Sequence, residues 1–103
     1  MQVINLKNAI EYVKDSIEKL SIMSNQQCSV TLIAMDAGKE RTQHIDPYDE
    51  AVIVLEGEAE ITISGNNFKL AEGDFIIMPE GEPHGLKALS KFKMALIRPQ
   101  HEH

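Results

Sequence analysis

Two short stretches of the sequence carry the side chains best suited to chemistry. His44 and Asp46 are two positions apart, so on an extended segment both point to the same side. Asp46 also begins an Asp-Pro turn, and Glu50 follows it at the start of the apolar run 51–55. One strand–turn–strand corner therefore offers one nitrogen and two oxygen ligands. A second stretch, 73–84, ends in His84 and can bring a fourth ligand.

Short strands must position these side chains. From residue 27 onward, apolar and polar residues alternate in short runs separated by Gly and Pro, which indicates a sandwich or barrel. The predicted strands cover 28–35, 42–45, 50–55, 59–63, 68–70, 75–78, 84–88 and 92–96. Ahead of them, helical spacing of apolar residues predicts a short helix near 5–13, and a strand is expected near 15–22.

Length and charge limit the classes of function. A chain of 103 residues suits one domain, and the formal net charge of −6, with scattered Lys and Arg, disfavours nucleic acid and anionic membranes as partners. No apolar run approaches the roughly 20 residues that a bilayer span requires. The start lacks the layout of a secretory signal, and Cys28 is the one cysteine. We therefore expect a protein of the reducing cytoplasm.

The run 51–55 is apolar on both of its faces. One face can fill a barrel, and the other then needs cover from a second sheet or subunit, so a homodimer is expected. The predicted organisation is an N-terminal helix and strand at 1–26, a barrel at 27–98 and a tail at 99–103, all in one domain. His101 and His103 in the tail could bind metal spuriously during purification.

The spacing of the fixed residues resembles the two sequence motifs of the cupins. The positions that match the first motif are Gly38, His44, Glu50 and Gly57, and those that match the second are Gly73, Pro79, Gly81 and His84. The resemblance implies an all-β double-stranded β-helix, the small jelly-roll barrel of the conserved-barrel cupins. Asp46 stands where the first motif has its second His, and Ala88 stands where the second motif has Asn.

The resemblance implies metal ligation by His44, Glu50 and His84, and by Asp46 through chemical analogy. Two imidazoles with one or two carboxylates favour Fe, Mn, Ni or Zn over Mg or Ca. Asp49 could be the inward carboxylate instead if the turn register slips by one. If the two histidines are metal-free pocket residues, His84 becomes the best general acid or base, with Glu50 as its orienting partner.

Three classes of function stay open at this stage. The first is a metal-dependent enzyme, oxygenase or isomerase-like, acting on a small organic acid or sugar-like molecule in the barrel. The second is a metal-free module that binds or senses a small molecule. The third is a degenerate structural barrel that acts as a dimer. The fold does not choose among them, because this barrel hosts many unrelated chemistries.

Overall fold

Nine β-strands make up almost all of the regular structure in the computed structural model, which describes residues 2–99. A single 3-10 turn, Leu6–Asn8, precedes them. The strands are β1 (Ile17–Ser24), β2 (Cys28–Met35), β3 (Glu40–His44), β4 (Glu50–Glu56), β5 (Glu58–Ile63), β6 (Asn66–Ala71), β7 (Phe75–Met78), β8 (His84–Ala88) and β9 (Phe92–Pro99).

The strands form two antiparallel sheets whose order departs from chain order. The five-stranded sheet runs β1-β2-β9-β4-β7, and the four-stranded sheet runs β3-β8-β5-β6. β9 thus lies between β2 and β4, strands far from it in the sequence. Such exchanges between facing sheets are typical of jelly rolls. The expected all-β jelly-roll barrel is confirmed.

The main core lies between the two sheets, because alternate residues of each strand point inward. In β4 and in β5, side chains at alternate positions are buried. Phe92, Met94 and Ile61 are among the largest side chains that are completely enclosed. At one end of this core the alternation delivers polar residues inward as well, since Glu50 and His84 continue the inward rows of β4 and β8.

A second apolar cluster covers part of the outer face of the five-stranded sheet. Leu32, Ala34 and Ala95 are buried there against Ile10 of the N-terminal segment. The predicted helix near 5–13 is reduced to the 3-10 turn, and Val13 is 47% exposed, so its apolar residues do not share one buried helical face. The N-terminal segment of the same chain therefore covers part of the outer sheet face for which a second sheet or subunit was expected.

Most predicted strands lie within one or two residues of their observed bounds, and the bounds of 28–35, 75–78 and 84–88 are identical. β1 pairs with β2 along its length, so the N-terminal strand belongs to the five-stranded sheet. The predicted tail lies outside the described residues from 100 onward, as do His101 and His103. Within residues 2–99, no helix has the length and apolar character needed to cross a bilayer.

Candidate metal centre

The two histidines face each other across neighbouring strands. His44 ends β3, His84 begins β8, and the two residues are register partners in the four-stranded sheet. Their ring centroids lie 4.3 Å apart with an edge-to-face arrangement. The side chain of His84 is 2% exposed, whereas that of His44 is 40% exposed. One imidazole is therefore sealed in the barrel, and the other stands at its open end.

The two carboxylates come from the loop and strand that follow. Asp46 lies in the loop between β3 and β4, and Glu50 is the first residue of β4. The backbone N–H of Gly81 donates to the carbonyl of Asp46 at 2.9 Å. The backbone N–H of Glu80 donates to the carboxylate of Asp49 at 2.7 Å. Asp49 therefore joins the loop before β4 to the loop between β7 and β8 through a hydrogen bond, and Asp46 is the aspartate that faces the histidines.

All four predicted ligands come together. His44, Asp46, Glu50 and His84, called the site cluster below, each offer one ligand atom, and these atoms lie within 4.8 Å of one another. Nε2 of His44 is 3.1 Å from a carboxylate oxygen of Asp46. Nε2 of His84 is 3.4 Å from oxygens of both Asp46 and Glu50.

The hydrogen bonds of the two rings set which nitrogen faces the carboxylates. Nδ1 of His44 lies 3.1 Å from the carbonyl oxygen of Thr42, and Nδ1 of His84 lies 3.2 Å from that of Glu82. A carbonyl only accepts, so each Nδ1 carries the proton in a neutral ring, and each Nε2 presents a lone pair. Such backbone anchoring is typical of metal-ligating histidines.

The two carboxylates differ in proton affinity. Burial, followed by the neighbouring Asp46 carboxylate, raises the pKa of Glu50 from 4.5 to about 7, although Arg98 and Arg41 oppose the rise. A hydrogen bond from Glu50 lowers the pKa of Asp46, and the two histidines lower it further. In the absence of another cation the pair thus retains a shared proton near neutral pH.

These observations fit a divalent cation. Nε2 of His84 is buried and has no hydrogen-bond partner among the described residues, despite its two carboxylate neighbours. Lone pairs of two imidazoles and two carboxylates converging on one point repel each other unless a positive charge lies between them. Two nitrogen and two oxygen donors suit Fe, Mn, Ni or Zn. His44, Asp46, Glu50 and His84 would hold the ion.

Two spaces adjoin the site cluster. An apolar cavity of about 10 Å³ inside the barrel reaches both histidines and is bounded by residues such as Val52 and Met94. It has room for about one water molecule. A groove of about 380 Å³ lies outside, between β1 and β3, and reaches His44. A ligand larger than water therefore has to approach the site from the groove side or the open end.

A family model described as "Cupin domain" matches residues 31–97. The chain belongs to the cupin family. It is 30% identical over 78 residues to an uncharacterised protein of Streptomyces coelicolor, and this alignment covers 76% of this chain and 74% of that protein. It is 33% identical over 67 residues to the dimethylsulfoniopropionate lyase DddQ of Ruegeria pomeroyi, covering 64% of this chain and 33% of the lyase. This cupin thus spans about a third of that relative.

A solved structure agrees over nearly the whole cupin. The crystal structure of a conserved Streptococcus pyogenes protein of unknown function superposes with a TM-score of 0.90 at 33% sequence identity. The match covers 99% of this chain and 90% of that one. The segment before residue 27, which the motif spacing did not include, therefore belongs to the shared fold.

Arg41 of this cupin was not among the residues predicted for the site. It lies on β3 and borders both the barrel cavity and the outer groove. Strict alternation would place positions 41 and 44 on opposite faces, but a register shift between Arg41 and His44 brings both to the site. A bulge of this kind has no reliable signal in a single sequence.

Proposed function

We propose that this cupin is a metal-dependent enzyme whose site cluster holds one divalent transition-metal ion and whose substrate is a small molecule bound at the open end of the barrel. The observation that supports it most is the buried, unpartnered Nε2 of His84, directed at the Asp46 and Glu50 carboxylates. A buried polar atom without a partner is costly, and a metal ion would satisfy it together with the other three ligands.

The chain's own residues have distinct tasks in this proposal. The backbone carbonyls behind the two rings hold each Nε2 lone pair inward. His44, which is partly exposed, lies on the side from which a substrate arrives. In the metal-free site burial raises the pKa of Glu50 to about 7, so binding of the ion near neutral pH would release the proton that Glu50 holds. When bound, the metal supplies a Lewis acid beside the substrate.

The first experiment measures the metal itself. The chain without its residues 100–103 is purified without chelator, and metal content is determined by elemental analysis. We expect about one Fe, Mn, Ni or Zn per chain, with loss of most metal in His84→Ala. Gln43→Ala, at an exposed position beside the site on β3, serves as the control and is expected to retain metal. Metal-free protein that is instead stabilised by small metabolites would identify the binding-module alternative.

We also propose that the remaining outer face of the five-stranded sheet is covered by a second copy of the chain. Beyond the N-terminal segment this face exposes apolar side chains, with Phe75 58% and Ile77 49% exposed beside Ala51 and Ile97. Of the charged residues that border this patch, Glu50 is buried and Asp49 and Arg98 have opposite signs. Two copies of the chain can therefore meet there through a two-fold axis without a block of like charge.

Light scattering after size exclusion at micromolar concentration tests the dimer. We expect twice the chain mass for the wild type and the chain mass for Ile77→Asp. Leu89→Asp is the control, because Leu89 is similarly exposed at 45% but follows β8 in the other sheet. A wild-type protein that elutes with the mass of one chain would refute the proposed dimer. Residence in the cytoplasm stays a prediction from the sequence.

A further inference from the structure

The groove between β1 and β3 has features that the metal site does not explain. It is bordered by Ile17, Lys19, Glu40, Arg41, Thr42 and His44 and has a volume of about 380 Å³. Arg41 and His44 also border the cavity inside the barrel, so the groove adjoins the site cluster at His44. It has room for a molecule of several carbon atoms, whereas the inner cavity does not.

The guanidinium of Arg41 is not used by the fold. Within residues 2–99 its side chain makes no hydrogen bond and no ion pair. It lowers the pKa of Glu50 through space, but Glu50 forms its close contact with His84 instead. A guanidinium beside a buried site offers a planar set of donors that matches a carboxylate through two parallel hydrogen bonds.

The charges around the groove favour an anion. Lys19 is a second cation at its edge, and within the described part of the chain it has no ion pair. The one acidic residue of the groove, Glu40, lies 3.7 Å from Lys87 on the neighbouring strand, which offsets its charge. A chain with a formal net charge of −6 thus presents, within its described residues, two cations without an ion pair beside its site.

We propose that the groove binds an organic carboxylate, whose carboxylate group pairs with Arg41 and Lys19 while the rest of the molecule extends past His44 to the site cluster. This inference rests on the proposed function for the statement that the bound molecule reacts at the metal site, and it adds the class of substrate. Arg41 is the specificity-determining residue, because it can bind both carboxylate oxygens. Lys19 adds charge at the outer edge of the groove, where solvent screens it more strongly.

The test uses matched anionic and neutral probes. A panel of about twenty carboxylates of two to eight carbon atoms, including succinate and benzoate, is titrated by NMR beside the corresponding amides at low ionic strength. We expect shifts at residues 17–19 and 40–44 for carboxylates and none for amides. Arg41→Gln should weaken binding by about 10- to 100-fold and Lys19→Gln by a few-fold. Arg41→Lys should recover only part of the loss.

Controls separate this inference from the proposed metal site. Lys14→Gln removes an exposed charge outside the groove and should leave carboxylate binding unchanged. Each titration is repeated with chelator, because carboxylates can also bind a metal directly. Binding that depends on Arg41 in both conditions supports the inference even if no metal is ever found. Equal binding of carboxylates and amides, or carboxylate affinity unaffected by Arg41→Gln, overturns it while leaving metal content to be decided separately.

Discussion

Replacing Glu50 by Gln should stabilise the metal-free protein above neutral pH and weaken its affinity for metal. The Glu50 side chain is 3% exposed, and its pKa of about 7 in the folded state compares with an ordinary value of 4.5. A carboxyl group with a raised pKa contributes stability that is complete at acidic pH and is lost as the pH rises from about 4.5 through about 7.

The magnitude follows from the difference between those two pKa values. At ~1.36 kcal/mol per pH unit, moving from 4.5 to about 7 corresponds to about 3 kcal/mol of free energy of unfolding lost by pH 8. Gln has the same shape, never ionises and can still donate to Asp46, so it avoids this loss. We expect Glu50→Gln to be within about 0.5 kcal/mol of the wild type at pH 4.5 and roughly 1–3 kcal/mol more stable at pH 8.

Urea denaturation in the presence of chelator measures both proteins at each pH. Saturating Ni²⁺ should then reverse the order at pH 8, because an ion that binds only the folded state at 100 times its Kd adds about 2.7 kcal/mol, and the wild type binds it more tightly. A stability difference between the two proteins that is the same at pH 4.5 and pH 8 would show that Glu50 does not carry the buried charge described here.

Two further predictions concern the scaffold. Gly57→Ala should lower the free energy of unfolding by about 3 kcal/mol or more, because φ is +81° and a Cβ there would lie 2.0 Å from the carbonyl oxygen of Lys91. Gly65→Ala is the control and should lower it by about 1 kcal/mol, because φ is +83° but no atom lies within 4 Å of the added Cβ. Equal losses in the two variants would contradict the clash at Gly57. Tyr12→Phe should cost about 1 kcal/mol at pH 7 and less at pH 3, because the hydrogen bond from Tyr12 lowers the pKa of Glu56 and the resulting stability is lost as the pH falls through that lowered value. If urea denaturation shows the same loss of unfolding free energy for Tyr12→Phe at pH 7 and pH 3, the proposed role of the Tyr12–Glu56 hydrogen bond is wrong.

The grouping of the four candidate ligands could be predicted because each has a local signal. His44 and Asp46 lie two positions apart near the end of a predicted strand. The Asp-Pro turn that follows predicts a chain reversal that brings Glu50 back beside them. His84 follows a Gly-Pro-rich loop and continues the inward row of a strand. Since turn chemistry and alternation act over a few residues, they can be read without knowing the sheet order.

The features that were missed depend on contacts between distant segments. The bulge that brings Arg41 toward His44 arises from pairing between β3 and β8, strands about forty residues apart. The short N-terminal helix is present only as the 3-10 turn Leu6–Asn8, because the rest of the segment lies on a sheet where burial of Ile10 against Leu32 and Ala95 outweighs a weak helical preference. Neither sheet pairing nor outer-face burial is visible in local spacing.

The ligands of the site cluster belong to different sheets. His44 and His84 lie on strands of the four-stranded sheet, whereas Glu50 begins a strand of the five-stranded sheet. An ion held by all three would act as a cross-link between the two layers at the open end of the barrel. Local separation of the layers there would then require breaking metal–ligand bonds, so amide hydrogen exchange in β3 and β8 should slow far more on metal addition than exchange in β6, at the opposite edge of its sheet.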